Sequence, residues 1–342
     1  MGRIFQRCNH SQTMGYWKVG ILEFKDHEAV RNGNFVMRWP TGAKELSHAH
    51  ATSAGTGESH LLASNVDCAW PENQTLPLTV YPPERAPCHE TVLCVHGLGE
   101  RSRRITHHMA RGFARHGYRS AAITLPYHGT RTPTGYRPKD FFLYADRFRI
   151  RDYFENAVVD ILTAIDFLKQ ADQTLHLFAF SLGGFFATIA AAFSPDVQKM
   201  ILLVCGGNFY HITWGSVATK LLRQQYEADE TCDAATCRVL HHSAFPAFCQ
   251  QLTSPLVPLD SAPMACFEYD PVTYAPFVTQ PVLMVNARFD LFIPRKATHA
   301  LYNRFPDATL QWLPAGHLSS ALFAGRMLNR SKAFLHEHKS TC

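Results

Sequence analysis

Phe178-Ala179-Phe180-Ser181-Leu182-Gly183-Gly184 reads as a strand that breaks on a serine and restarts as a helix. The apolar run 175–180 stops at Ser181, and a helical pattern over 182–193 begins at once and closes before Pro195. So abrupt a turn forces the corner residue into strained torsions and brings strand and helix close together. Small residues are then needed two positions before and two after the serine. Gly183 meets the second need, and Ala179, one methyl larger than glycine, stands at the first. Such a turn lifts the Ser181 hydroxyl out at the sheet edge, near the positive end of the helix.

The surrounding chain supports this reading. Strand-like runs at 91–95, 120–125, 200–205, 281–286 and 309–313, most of them largely apolar, alternate with helical patterns at 103–116, 151–169, 296–304 and 321–336. Strands that are apolar throughout are buried on both faces, so the alternation predicts a mostly parallel sheet with helices on both sides. In such sheets reactive groups collect at the carboxyl ends of the strands. The segment 208–279 interrupts the alternation and holds one clear helix candidate, 214–226. Residues 1–90 are less regular. Runs at 20–24 and 34–39 flank Asn32-Gly33 as a possible hairpin, 47–64 reads as a loop rich in Ala, Ser, Thr, Gly and His, and 76–81 reads as a strand closed by Pro82-Pro83.

A serine hydroxyl is a poor nucleophile without an adjacent base. Leu313-Pro314-Ala315-Gly316-His317 follows the last strand and can bring an imidazole to Ser181. The histidine needs a carboxylate to fix its tautomer and stabilise its charged form. Asn286-Ala287-Arg288-Phe289-Asp290 places Asp290 just past the preceding strand. Asp270 and Asp260 are rival acids in the irregular segment, and His299, His336 and His338 are rival bases within helix patterns. The order Ser, Asp, His, each after its own strand, favours Ser181, Asp290 and His317 as a catalytic triad. Two backbone donors complete the expectation: the N–H of Leu182, directly after the nucleophile, and that of Leu98 in His96-Gly97-Leu98-Gly99. His128, Arg131, Phe209 and Trp214 are candidates for the substrate pocket; His128 and Arg131 more readily order their loop or pair with the cap, and Phe209 and Trp214 equally suit a plain cap core.

Composition narrows the alternatives. The net charge of +5 over 342 residues comes from scattered Lys and Arg, which argues against a nucleic-acid partner. No run of eighteen apolar residues predicts a membrane span, and Met1–Gln6 lacks the apolar region of a secretory leader. The cysteines read as reduced thiols of a cytoplasmic protein: Cys94 and Cys205 fall in buried strands, and Cys232 and Cys237 have no second pair at metal-site spacing. No cofactor and no catalytic metal are expected, because a serine–histidine pair makes its own nucleophile.

From about residue 91 to His317 the chain resembles the α/β-hydrolase superfamily. The resemblance rests on His96-Gly97-Leu98-Gly99, Ala179-Phe180-Ser181-Leu182-Gly183-Gly184, Asp290 and Gly316-His317. Pro126-Tyr127-His128-Gly129-Thr130-Arg131, Asp290-Leu291-Phe292-Ile293-Pro294-Arg295 and Gly316-His317-Leu318-Ser319 are similar to a subgroup described only as α/β-hydrolase-domain-containing. The resemblance implies an eight-stranded, mostly parallel sheet with a cap inserted after the sixth strand. It divides the chain into an N-terminal extension (1–90), a core (91–207 and 280–342) and a cap (208–279). Phe209, Tyr210, Trp214, Leu221, Leu222, Phe245 and Phe248 give that cap more apolar surface than a solvated loop holds. The expected activity is hydrolysis of a small carboxylic ester or thioester through an acyl-enzyme. Acyl transfer, cleavage of small peptides by the same triad, and a non-catalytic ligand-binding member of the fold are the alternatives.

Overall fold

A computed structural model describes residues 43–49, 57–65, 70–143, 147–169, 174–228, 232–258 and 261–337. The hairpin expected over 20–24 and 34–39 lies outside the described residues, as do Asp260 and His338.

Among the described residues, nine strands form one sheet in the order β1-β2-β3-β5-β4-β6-β7-β8-β9. They are β1 (Glu45–Ala49), β2 (Glu58–Ala63), β3 (Thr75–Tyr81), β4 (Glu90–Val95), β5 (Arg119–Ile123), β6 (Thr174–Phe180), β7 (Val197–Leu203), β8 (Val282–Ala287) and β9 (Ala308–Leu313). β1, β2, β3 and β5 pair antiparallel in succession, and every pair from β5 through β9 is parallel. All six residues of β4 and of β8 are buried, as a strand covered on both faces must be.

The helices are α1 (Glu100–Ala114), α2 (Lys139–Phe142), α3 (Arg147–Leu168), α4 (Leu182–Phe193), α5 (Phe209–Gly215), α6 (Lys220–Ala228), α7 (Ala234–Gln251), α8 (Ala265–Tyr269), α9 (Pro271–Tyr274), α10 (Arg295–Tyr302) and α11 (Ala324–His336). One core unites α3, α4 and α10 through residues such as Phe154, Phe186 and Leu301. A second, on the other face, joins α1 to α11 through Phe113, Met327 and Phe334. The sheet is thus the middle of three layers, and it presents the carboxyl ends of β4 to β9 along one edge.

Several expectations need correction. The stretch 47–64, read as a loop, contributes to both strands of the β1–β2 ribbon, and the described residues form nine strands, close to the eight expected. Its Ser, His and Ala residues carry no strand signal of their own, and β1 is exposed along its whole length. Backbone pairing at the sheet edge holds it, and composition does not report that. The single helix expected over 214–226 is two. The stretch 216–219 separates α5 from α6, and Thr219 Oγ1 and Arg223 Nη1 take up carbonyls at the break, those of Thr213 and Ser216 among them. The long α7 escaped the reading because Pro246 interrupts it and its apolar residues follow no single face.

Candidate functional site

Ser181 sits at φ 54° and ψ −123°, a left-handed backbone that only a strongly determined turn imposes on a serine. The turn is pinned from both sides. The Ser181 N–H donates to the Leu203 carbonyl of β7 at 2.8 Å, and the Gly184 N–H donates to the Ser181 carbonyl at 2.8 Å. A methyl group on Gly183 would collide with the His96 carbonyl, so the position two after the serine admits glycine alone. Ala179 fits where it stands, fully buried between Val95 and Leu202 of the neighbouring strands.

The turns after β8 and β9 are tied together. Arg288 N–H donates to Leu313 O and Phe289 N–H to Ala315 O, at 2.8 and 2.9 Å. Asp290 follows, with Oδ1 accepting from Phe292 N–H and Ile293 N–H at 2.8 Å each. Its other oxygen, Oδ2, accepts from His317 Nδ1 at 2.7 Å, and His317 Nε2 lies 2.9 Å from Ser181 Oγ. The three groups therefore form an unbroken chain of hydrogen bonds. The Asp290 carboxylate is almost wholly buried at its end. Phe180 and Phe292 flank the imidazole ring, and Ser320 Oγ–H donates to the His317 carbonyl.

The loop after β4 has an unexpected fastening. Gly97 N–H donates to Ser102 Oγ at 2.6 Å, and Gly99 N–H donates to His128 Nε2 at 3.0 Å. The N–H of Leu98 lies between these two and is engaged by no group among the described residues, nor is that of Leu182 at the start of α4. The loop after β5 is fastened in return, because Leu125 N–H donates to His96 Nε2 at 3.0 Å. Each imidazole spends its Nδ1 on a carbonyl, His96 on Gly97 and His128 on Pro126, which fixes the same tautomer in both. The rings meet edge to face at 4.7 Å, wholly buried. Burial, reinforced by the neighbouring His128, holds His96 well below the usual histidine range, so it stays neutral and keeps its acceptor.

Ser181 opens into a cavity of about 330 Å³. Leu98, Ile105, Phe142, Phe180 and Phe185 make its apolar wall, and Ser181, Leu182 and His317 reach its surface. The segment between β7 and β8 supplies Ile212, Ser216, Ala218 and Thr219.

Of the four residues expected in the pocket, none lines this cavity. His128 is taken up by the loop bond just described. Arg131 is buried beneath the same loop, with Nη1 on Asp160 Oδ2 at 2.6 Å and on Thr124 O at 2.8 Å, and Nη2 on Asn73 O at 3.0 Å. Burial raises the Asp160 carboxyl above its ordinary range, and Arg131 opposes that rise. Phe209 stands one layer back, packed on Phe154, on Tyr269 and on Phe185, whose ring does reach the cavity. Trp214, near the end of α5, is not among the residues that line the cavity, and its indole nitrogen is buried. The rival groups also have other partners. Asp270 accepts from Asn208, Phe209 and Val272 N–H, His299 packs on Trp312, and His336 meets the Tyr118 hydroxyl. Sequence reasoning missed Ser102, which braces the Gly97 turn and lines the cavity. Its only signal is its place, one turn into the helix that follows the glycines.

Comparison with known proteins agrees with this architecture. Residues 90–230 match the family model described as the alpha/beta hydrolase fold. Acetyl xylan esterase 1 from Thermoanaerobacterium sp. JW/SL YS485 is similar in structure at 15% identity and a TM-score of 0.55, over 84% of this chain and 86% of the esterase. A cold-adapted esterase from an Arctic intertidal metagenomic library, in a PEG-bound complex, is similar at 15% identity and a TM-score of 0.50, over 87% of this chain and 98% of that one. No curated protein matches the sequence significantly. The chain has the α/β-hydrolase fold.

Proposed function

We propose that this protein is a serine hydrolase that cleaves a carboxylic ester or thioester of a small molecule through an acyl-enzyme. The observation that carries the reading is the unbroken Asp290–His317–Ser181 relay, 2.7 and 2.9 Å per step, at the surface of an apolar cavity. A protein that only binds ligands has no need of all three groups in register.

In this reading Ser181 Oγ attacks the substrate carbonyl carbon while its proton passes to His317 Nε2. Asp290, held by two backbone N–H groups, keeps the imidazole in the Nδ1–H tautomer and stabilises its charge. The negative oxygen of the tetrahedral adduct accepts from the N–H groups of Leu98 and Leu182. The adduct collapses, the leaving alcohol or thiol takes the proton from Nε2, and the acyl group stays on Oγ. Water then gives a proton to Nε2 and its oxygen to the acyl carbon. Collapse of the second adduct releases the acid and restores Ser181. The acyl chain lies against Ile105, Phe142 and Phe185, in a cavity at the small end of the range of about 300–1,000 Å³ typical of ligand sites. Residues 208–279 act as a cap whose Ile212 and Thr219 limit chain length. The chemistry calls for no metal or cofactor.

The test is a chain-length panel of p-nitrophenyl esters together with a fluorophosphonate label, on wild type and Ser181→Ala. Short to medium chains should turn over, and one label per chain should map to Ser181. A wild type that neither turns over esters nor takes the label would refute the proposal.

A further inference from the structure

Far from Ser181, at the opposite edge of the sheet, the β1–β2 ribbon gathers two imidazoles and two carboxylates. His48 and His60 are direct cross-strand partners, and their rings stack at 4.3 Å, 9° from parallel. Glu58 precedes His60 by two positions and so shares its face. Strict alternation would send Glu45 to the opposite face from His48. A register shift between Glu45 and Ser47 turns it back, and Glu45 Oε1 lies 2.6 Å from His60 Nδ1. Glu45, His48 and His60 each bring one ligand atom to within 4.8 Å of the others. Glu58 Oε2 stands 3.7 Å from His48 Nε2 and 3.9 Å from His60 Nε2.

One atom of this group lacks a satisfactory partner. The His60 side chain is 9% exposed, its ring wedged between His48 and Phe167, and its Nε2 makes no hydrogen bond. A buried imidazole nitrogen without such a bond carries a cost that a ligand can remove. The Nδ1–H of the same ring donates to Glu45, which leaves the Nε2 lone pair open, as in the carboxylate–histidine pairs that support metal ligands.

We propose that this edge of the sheet is a structural zinc site, with His48, His60 and Glu58 as ligands and Glu45 as the fourth ligand or as the support of His60. Two nitrogen and one or two oxygen donors suit a small divalent ion of borderline softness, and binding both imidazoles to one ion opens their stack and draws in Glu58 Oε2 from 3.7 and 3.9 Å. The ion fits what β1 lacks. That strand is five residues long and exposed at every one, Leu46 included, so burial contributes little to its hold on β2. A metal bridging His48 and His60 ties the edge strand to β2.

The experiment uses the full chain, freed of metal by chelator and titrated with zinc chloride against a chromophoric competitor. One zinc per chain should bind in wild type, and affinity should fall at least about tenfold in His48→Ala and in Glu58→Gln. Both residues are partly exposed, so these variants keep the fold, as a circular dichroism melt would check. Cobalt(II) in place of zinc should give the intense visible bands of a four-coordinate ion in wild type alone. Hydrogen exchange should slow in 45–49 and 58–63 when zinc is added. Ester turnover should be the same with and without the ion, so failure here is distinct from failure of the Ser181 reading. Equal zinc affinity in wild type and His48→Ala, or exchange in β1 that ignores zinc, would overturn the proposal.

Discussion

Asp290 and Asp270 stand at two turns that look alike along the chain and differ in space. Each begins a tight turn, each is buried, and each accepts backbone N–H groups: two at Asp290, three at Asp270. Asp290 has one oxygen left for His317. Asp270 spends Oδ1 on Asn208 and Val272 and Oδ2 on Phe209, and so fastens both ends of the segment between β7 and β8 to each other. The first is bonded into the proposed relay, the second into the frame that supports the cavity wall. Hydrogen-bonding capacity, more than depth or charge, separates the two roles.

The broadest test of this contrast is removal of the group that only one of the two aspartates serves. Ser181→Ala should lower ester turnover by about three or more powers of ten while the thermal melt stays in place. Retention of a tenth of the activity would break the assignment. Next, Asp290→Asn should cost about two to four powers of ten in kcat, because the amide sets the wrong imidazole tautomer, whereas Asp270→Asn should cost less than about tenfold. A reversal of these two, measured on one ester, would exchange their roles. The loop fastening offers a smaller effect. His128→Phe removes the acceptor of Gly99 N–H and loosens Leu98, and should lower kcat about tenfold to a hundredfold with KM little changed. An unchanged kcat would mean that Leu98 is held without it.

Stability should show the other half of the contrast. Asp270→Ala leaves three N–H groups unmet, and denaturant unfolding should show a loss of about 3 kcal/mol. The pH dependence is subtler. Burial pushes the Asp270 carboxyl up to about 6 from 3.8, against the pull of its three N–H partners. Folding therefore takes up a proton between these values. The stability this group contributes is fully present below 3.8 and is lost as pH rises through about 6. Wild type should lose stability relative to Asp270→Asn over that range, and a flat difference would show that the carboxyl is not perturbed.

Much of this was legible along the chain because it depends on local order. An apolar run, a small residue, a serine and two glycines describe the corner at Ser181 without reference to anything distant. His317 and Asp290 could be selected because each stands shortly after a strand of its own in the chain order Ser, Asp, His. What escaped is what depends on partners far off in sequence. Arg131 could be read as ordering its loop, but its buried partner Asp160, 29 positions on, could not be named from the sequence. His128 could likewise be read as a loop-ordering residue, but its partner Gly99 lies the same distance away in the opposite direction and could not be named. β1 was invisible because strand pairing at an exposed edge leaves no apolar pattern.

The cavity's lining has a consequence for how such a molecule changes over generations. Ser181, Leu98 and His317 are spaced by the sheet, so substitutions among them have almost nowhere neutral to go. Ile212, Ser216, Ala218 and Thr219 belong to a stretch joined to the sheet at two points and stapled at its base by one carboxylate. On the proposed reading, substitutions in that stretch would trade one preferred acid for another and leave the spacing of Ser181 and His317 as it is.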